Sequence, residues 1–275
     1  MADVAAFSVA GALYLGATFS YHIAWIGRAR RFRPLATRLL VAAVLVHGLG
    51  VGVRWFESGY PPLSNAFESF SFYGWALMVG YLLLERQTRH PGLGALVTPI
   101  ALIAIAVASV LPKGIQPLVP VLRSHWLGIH VGISFLAYVT FTLAFVSAVA
   151  FLRQDATLKR HRSLGWGSGL PSLVALETQG FRLAMAGLFL LTGSLISGSI
   201  WAQHAWGVPW VWQPQQIAAL ATWGVYALYF ATWHGLGWRG RRAAWLLVAG
   251  FVAVLITFVG VDLVLPGGLH AFIFR

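Results

Sequence analysis

From Leu183 to Trp238 the chain contains no Asp, Glu, Lys or Arg. A charge-free stretch of that length cannot present an ionised surface to water, and it belongs in a bilayer. It is not one continuous helix, because Gly207, Pro209 and Pro214 interrupt it between two long apolar runs. The interruption, WAQHAWGVPWVWQPQQ from Trp201 to Gln216, carries four indoles, at Trp201, Trp206, Trp210 and Trp212, beside the uncharged Gln213, Gln215 and Gln216. It reads as a broad aromatic shelf at a membrane surface, suited to a large, flat, apolar ligand. The alternative is an interfacial belt of the kind membrane proteins build from Trp and Tyr.

Composition agrees with the bilayer. The chain is 59% hydrophobic and 9% charged, against about 25% charged residues in a soluble domain. Its net charge of +12 invites a nucleic-acid reading, but the basic residues fall in short loops between apolar runs instead of on one soluble face, which argues for no nucleic acid. Cys is absent, so the chain has no disulfide, thiolate metal site or thiol redox chemistry of its own. Any thiol chemistry is a partner's.

Eight runs approach the roughly 20 apolar residues that cross a bilayer: Val4 to Ile26, Ala36 to Val53, Phe70 to Leu84, Leu93 to Leu111, Trp126 to Leu152, Phe181 to Trp201, Ile217 to Leu236 and Ala243 to Leu265. The expected fold is an all-α integral membrane protein of about eight transmembrane helices, one polytopic domain over residues 1–275, with the tryptophan-rich loop on the outer face. The first run lacks a basic segment before it and is expected to remain in the mature protein. Of the nineteen Lys and Arg residues, fourteen fall around alternate loops, from Arg28 to Arg38, at Arg86 and Arg89, from Arg153 to Arg162, and from Arg239 to Arg242. Those loops are expected on the cytoplasmic side, leaving both termini and the tryptophan segment outside.

Imidazoles in or beside spans are costly enough to suggest function. His130, near the outer end of the fifth run, shares a depth with His270, beyond the eighth, and with the tryptophan segment. His22 and His234 form a second pair, matched in depth near the inner ends of the first and seventh runs. Paired axial ligands hold haem iron, so two layers of His pairs suggest two haem positions. His125 and His204 read as polar residues near the outer interface, with a role as outer ligands the alternative for each. His47 has no depth-matched partner and reads as a packed histidine bonded to a neighbouring helix. His90 and His161 sit in basic loops.

These residues also carry a family resemblance. The chain resembles CcsA-type cytochrome c assembly proteins, of the wider haem-handling family that includes CcmC and CcmF. The marks are His22; Arg54-Trp55, then Gly59-Tyr60-Pro61-Pro62-Leu63-Ser64-Asn65 with Glu68-Ser69; and Leu122-Arg123-Ser124-His125-Trp126-Leu127 before His130-Val131. Further on stand Gly198 to Trp201, Ala205-Trp206-Gly207, Trp210, Trp212, His234 before Gly237-Trp238-Arg239-Gly240, and Gly268-Leu269-His270.

The resemblance implies that haem b is moved across the membrane and presented by His130 and His270 beneath the tryptophan-rich loop, with His22 and His234 holding it within the membrane. It also implies delivery to an apocytochrome c bearing Cys-x-x-Cys-His, together with a CcsB-type membrane partner and thiol-reducing pathway proteins. The chain would then be a subunit of a holocytochrome c synthase, in a bacterial plasma membrane or its thylakoid equivalent. Haem needs aromatic contact, axial ligands and cations for its propionates. Arg54 and Arg123 are the expected propionate partners, with snorkelling to the interface as the alternative for each. Tyr60 to Ser69 is expected to form an outer loop or short re-entrant element beside the haem, with Ser64 or Asn65 capping a helix and Glu68 in its first turn.

The chain departs from the family where Trp-Asp-Pro-Lys-Glu is replaced by Trp212-Gln213-Pro214-Gln215-Gln216, and where Phe272 replaces a tyrosine after the final His. These changes leave open a regulator or scaffold like the HemX-type relatives, and a resident membrane cytochrome with fixed haems.

Overall fold

The structure, a computed structural model, describes residues 2–27, 29, 31–88, 90–115, 124–159 and 169–264. Arg123, His161, His270 and Phe272 lie outside that set.

Lipid offers no partner to a backbone amide, so a spanning chain must close its hydrogen bonds within helices or a barrel. Here they close within helices: α1 (Ala2–Ile26), α2 (Phe32–Ser58), α3 (Ala66–Thr88), α4 (Pro91–Val110), α5 (His125–Lys159), α6 (Leu173–Trp206), α7 (Pro214–Gly235) and α8 (Arg241–Leu255). A π-helical turn, Ile256–Gly260, and a short α9, Val261–Val264, continue α8. Seven of the described helical segments are long and apolar enough to cross a membrane. The 22 residues of α7 also reach, at about 1.5 Å each, the roughly 30 Å of a hydrocarbon core. This is a multi-pass, all-helical membrane protein.

The expected runs fall on these helices, but several helices are longer. α3 extends beyond Phe70 to Leu84 at both ends, because Glu68 and Glu85, which interrupt a hydropathy run, are buried with bonding partners. α5 continues through a polar turn in which Lys159 pairs with Asp155 at 3.0 Å. α6 starts at Leu173 instead of Phe181 and ends at Trp206 instead of Trp201, since nothing before Gly207 breaks it. Gly207 then takes φ +75, and its N–H donates to the Gln203 carbonyl at 3.1 Å. That left-handed setting suits glycine at a helix end. Pro214 opens α7 where a missing N–H costs nothing.

The chain packs as two compact units. The first holds Met1–Pro62, Phe67–Ile115 and Ala150–Leu176. Its central feature is a pair of matched stripes. On α1 the buried face runs Phe7, Ala10, Tyr14, Ala17, Tyr21, Ala24, and on α2 it runs Ala36, Leu40, Ala43, His47, Gly50, Arg54. Both alternate three- and four-residue steps, and the small residues let the backbones approach.

The polar members of those stripes are paired. His47 has Nδ1 3.2 Å from the Tyr14 hydroxyl and Nε2 2.8 Å from the Ser71 hydroxyl, so both ring nitrogens are engaged, as expected of a packed histidine. Tyr21 donates to Glu85 Oε2 at 2.7 Å, and Arg33 Nε lies 3.8 Å from Glu85 Oε1. Arg54 donates from Nε to Glu68 Oε1 at 2.7 Å and from Nη1 to Asp3 Oδ2 at 2.9 Å. Its Nη1 and Nη2 also donate to the carbonyls of Lys113, at 2.9 Å, and Gly114, at 3.3 Å.

Arg54, expected as a propionate partner, is thus engaged by four groups of the protein itself. The residue is 3% exposed, with Asp3 at 6% and Glu68 at 2%, and its guanidinium is committed to ligands inside its own unit. It is a buried structural charge, tying the start of α1 and the start of α3 to the end of α2. Glu68, expected near a first turn, is there, and its carboxylate is half of the reason for Arg54.

The second unit holds Leu63–Ala66, Gln116–Val149 and Glu177–Arg275. Aromatic stacking dominates it. Phe141 lies on Tyr226 with ring centroids 3.6 Å apart, and Phe145 lies on Phe251 at 4.2 Å. A hydroxyl pair, Thr222 and Thr257 at 2.8 Å, links α7 to the π-helical turn.

Arg54→Met removes the guanidinium that faces two buried carboxylates. Breaking such a group costs about 3–5 kcal/mol, so the expected outcome is a clearly lower thermal unfolding midpoint of the detergent-purified protein. Arg54→Met combined with Asp3→Leu and Glu68→Leu is expected to recover much of the loss. An unchanged midpoint for Arg54→Met would show that the three charges hold nothing together.

Candidate functional site

The α6–α7 connector begins on the last turns of α6, which carry Trp201 and Trp206, and continues as extended chain through Trp210 and Trp212 to Pro214. The expected shelf is thus two structures, a helical half and an extended half. Trp201 and Trp206 meet edge to face with centroids 4.8 Å apart. Trp210 and Trp212 do the same at 5.6 Å. Exposure is graded: Trp201 is 2% exposed and Trp212 is 71% exposed. Trp201 is a wall, and Trp212 is the face.

Three glutamines fold this connector. Gln216 Oε1 accepts from the Val211 N–H at 3.1 Å, Gln203 Nε2 donates to the Gly207 carbonyl at 3.1 Å, and Gln215 Nε2 donates to the Thr257 carbonyl at 2.7 Å. The last of these ties the start of α7 to the π-helical turn, a helical irregularity often found near functional sites. Trp210 Nε1 is buried and has no acceptor among the described residues. It is a free donor for an anionic edge.

His130 lies in the second turn of α5, half-buried. Its ring is 8° from parallel with the Trp201 indole, with centroids 6.5 Å apart. Its Nδ1 is 2.8 Å from the Ser194 carbonyl on α6. A carbonyl only accepts, so Nδ1 carries the proton and Nε2 is the bare, basic nitrogen, the tautomer that ligates a metal. His22 on α1 is set in the same way, with Nδ1 donating to the Thr18 carbonyl at 2.8 Å, and its Nε2 has no hydrogen-bond partner among the described residues. His234, in the last turn of α7, is exposed and packs its ring against Phe230, with centroids 4.5 Å apart. His22 belongs to the first unit and His234 to the second. His125 and His204 are exposed at helix ends. His270 and Arg123 fall outside the described residues.

The residues that orient His130 were not singled out in sequence. Ser194 acts through a backbone carbonyl and a hydroxyl, and no residue pattern announces either. Ser134 stands four positions after His130, one turn on, which was the available signal.

The described residues fit haem on three counts: an imidazole with Nε2 free, a parallel indole beside it, and an unmet N–H donor at Trp210. The sequence profile of the family described as Cytochrome C assembly protein matches residues 63–270. The cytochrome c biogenesis protein CcsA of Prochlorococcus marinus (strain MIT 9303) is 36% identical over 277 aligned residues, covering 90% of this chain and 87% of that protein. The CcsA of Synechococcus sp. (strain CC9902) is 38% identical over 266, covering 87% of each. Among solved structures, the cytochrome c haem lyase CcmF shares the fold, with a TM-score of 0.69 at 17% identity over 93% of this chain and 46% of that one. By profile and by identity across nearly its whole length, the chain belongs to the cytochrome c assembly protein family.

Proposed function

We propose that this chain is the CcsA-type subunit of a cytochrome c synthase, one polytopic domain that receives haem, carries it across the membrane and presents it to apocytochrome c. The observation that carries the reading is His130: its Nε2 is left free by the Ser194 bond, beside a parallel tryptophan at the root of the tryptophan-rich connector. The names of the relatives support the role in cytochrome c maturation.

In this reading haem is cargo, and its vinyl groups accept the two thiols of a Cys-x-x-Cys-His peptide as thioethers. The chain, which has no Cys, supplies position. His130 and His270 hold the outer site, and His22 with His234 the site within the membrane. Trp206, Trp210 and Trp212 offer aromatic area, and the Trp210 N–H offers a directed bond to a propionate in place of Arg54, leaving Arg123 as the outer cation of the original pair. Holding vinyl carbons beside thiols makes an encounter between molecules effectively intramolecular. In this reading the tryptophan connector faces the outer side of a bacterial plasma membrane or its thylakoid equivalent, in keeping with the positive-inside rule, and meets a CcsB-type partner and thiol-reducing proteins there.

The protein purified in detergent is expected to carry low-spin, bis-histidine haem b, read from its visible spectrum as isolated, after dithionite, and as the pyridine haemochrome. The His130→Ala, His270→Ala double variant is expected to lose a defined share of that spectrum and His22→Ala, His234→Ala the remainder. Absence of haem in the wild type even after haem is supplied would overturn the reading in favour of a regulator or scaffold.

Coexpressed with a CcsB-type partner in a bacterium lacking its own maturation system, the chain is expected to yield haem-stained c-type cytochrome. Gln215→Met with Gln216→Met, which removes the donor to Thr257 and the acceptor for the Val211 N–H, is expected to loosen the connector and lower the yield. Haem that stays bound through turnover, with no cytochrome formed, would identify a resident cytochrome instead.

A further inference from the structure

We infer that Ser134, Ser194 and Gly198 are positioning residues for His130, holding its ring in one tautomer and one setting so that Nε2 is ready to ligate; the inference rests on the haem-presentation reading.

Hydroxyl bookkeeping fixes the protons. Ser134 Oγ donates to the His130 carbonyl at 2.7 Å, and a serine has one hydroxyl proton. In the Ser134–Ser194 contact, at 2.6 Å between hydroxyl oxygens, Ser194 must therefore be the donor. With its proton committed to Ser134, Ser194 Oγ can only accept at its 3.3 Å contact with His130 Nδ1. The Ser194 carbonyl, 2.8 Å from the same nitrogen, accepts as well. Two acceptors thus face Nδ1 and no donor does. The proton stays on Nδ1, and the opposite tautomer would require the Ser134 and Ser194 hydroxyls to reorient together.

Gly198 sets the ring's place. A Cβ built there would lie 2.8 Å from both Cε1 and Nδ1 of His130, a distance that forces something to move. The ring occupies space that any other residue at position 198 would fill. Ser194 and Gly198 are one helical turn apart on α6, so a single turn supplies both the acceptors and the clearance. Trp201, three residues further along the same helix, lies with its indole 8° from parallel to the ring at a centroid distance of 6.5 Å. His47 shows the contrast, because there both nitrogens have hydroxyl partners and none is left for a ligand.

The experiment titrates haemin into full-length, detergent-purified protein and follows the spectrum, the reduction potential and thermal unfolding for Ser134→Ala, Ser134→Thr, Gly198→Ala and His130→Ala. Outer-shell partners of a metal-bound histidine are typically worth roughly 10–100-fold in affinity. Ser134→Ala and Gly198→Ala are expected to lose about tenfold or more of the His130-dependent haem affinity, with a shift from low-spin toward high-spin bands. Ser134→Thr, which keeps the hydroxyl, is expected to retain both, and Ser134→Ala is expected to unfold at the wild-type temperature. If His130→Ala changes the spectrum while Ser134→Ala and Gly198→Ala match the wild type, the positioning inference is overturned and haem presentation stands. If His130→Ala changes nothing, both fall together.

Discussion

A bilayer interior offers no water to a polar group, so every donor and acceptor there must find its partner in the protein. This chain meets that demand repeatedly in the same small ways. Hydroxyls of Thr18, Ser20, Thr98, Thr142, Ser147 and Thr192 each donate to the carbonyl four residues back, satisfying themselves without leaving their helix. The larger debts are settled between helices: His47 by Tyr14 and Ser71, Glu85 by Tyr21, and Arg54 by Asp3 and Glu68. In such an interior an imidazole nitrogen with no partner is conspicuous. His130 and His22 each spend Nδ1 on a carbonyl and keep Nε2 in reserve.

Much of the architecture was legible because hydropathy is a local property. Eight runs and their turn residues can be read one at a time, and the breaks at Gly207 and Pro214 follow from backbone geometry alone. Pairing between distant positions was not legible. Arg54 meets Asp3 across 51 positions and Glu68 across 14, and seen singly it looks like an interfacial cation free to meet a propionate. For the same reason α3 looked short: Glu68 and Glu85 read as water-seeking until their partners are known. His130 stands out in sequence because depth and residue type mark it, whereas the contacts of Ser134, Ser194 and Gly198 with its ring depend on a proton's direction and an absent Cβ.

The division of labour between His47 and His130 follows from these partners and not from burial alone. A hydroxyl can donate or accept, so the two hydroxyls around His47 satisfy whichever tautomer it takes and consume both nitrogens. A backbone carbonyl can only accept, so the Ser194 carbonyl selects one tautomer and leaves the other nitrogen to the outside. The type of partner, more than its number, separates the packed His47 from His130, the histidine proposed as a ligand.

The glutamines of the connector also act through the type of partner they meet. Charged side chains in a loop of this kind would give contacts that weaken as salt rises. Here Gln203, Gln215 and Gln216 fix the chain by short neutral hydrogen bonds to backbone groups, which ions screen little. From Gly207 to Gln213 the connector carries no formal charge, so it adds nothing of its own to the field that an anionic ligand meets at a distance. In the proposed reading its own part in recognition comes at contact, through aromatic area and through directed donors such as Trp210 Nε1. That suits a ligand handed over within the membrane more than one captured from solution, because short-range contacts act only on what has already arrived.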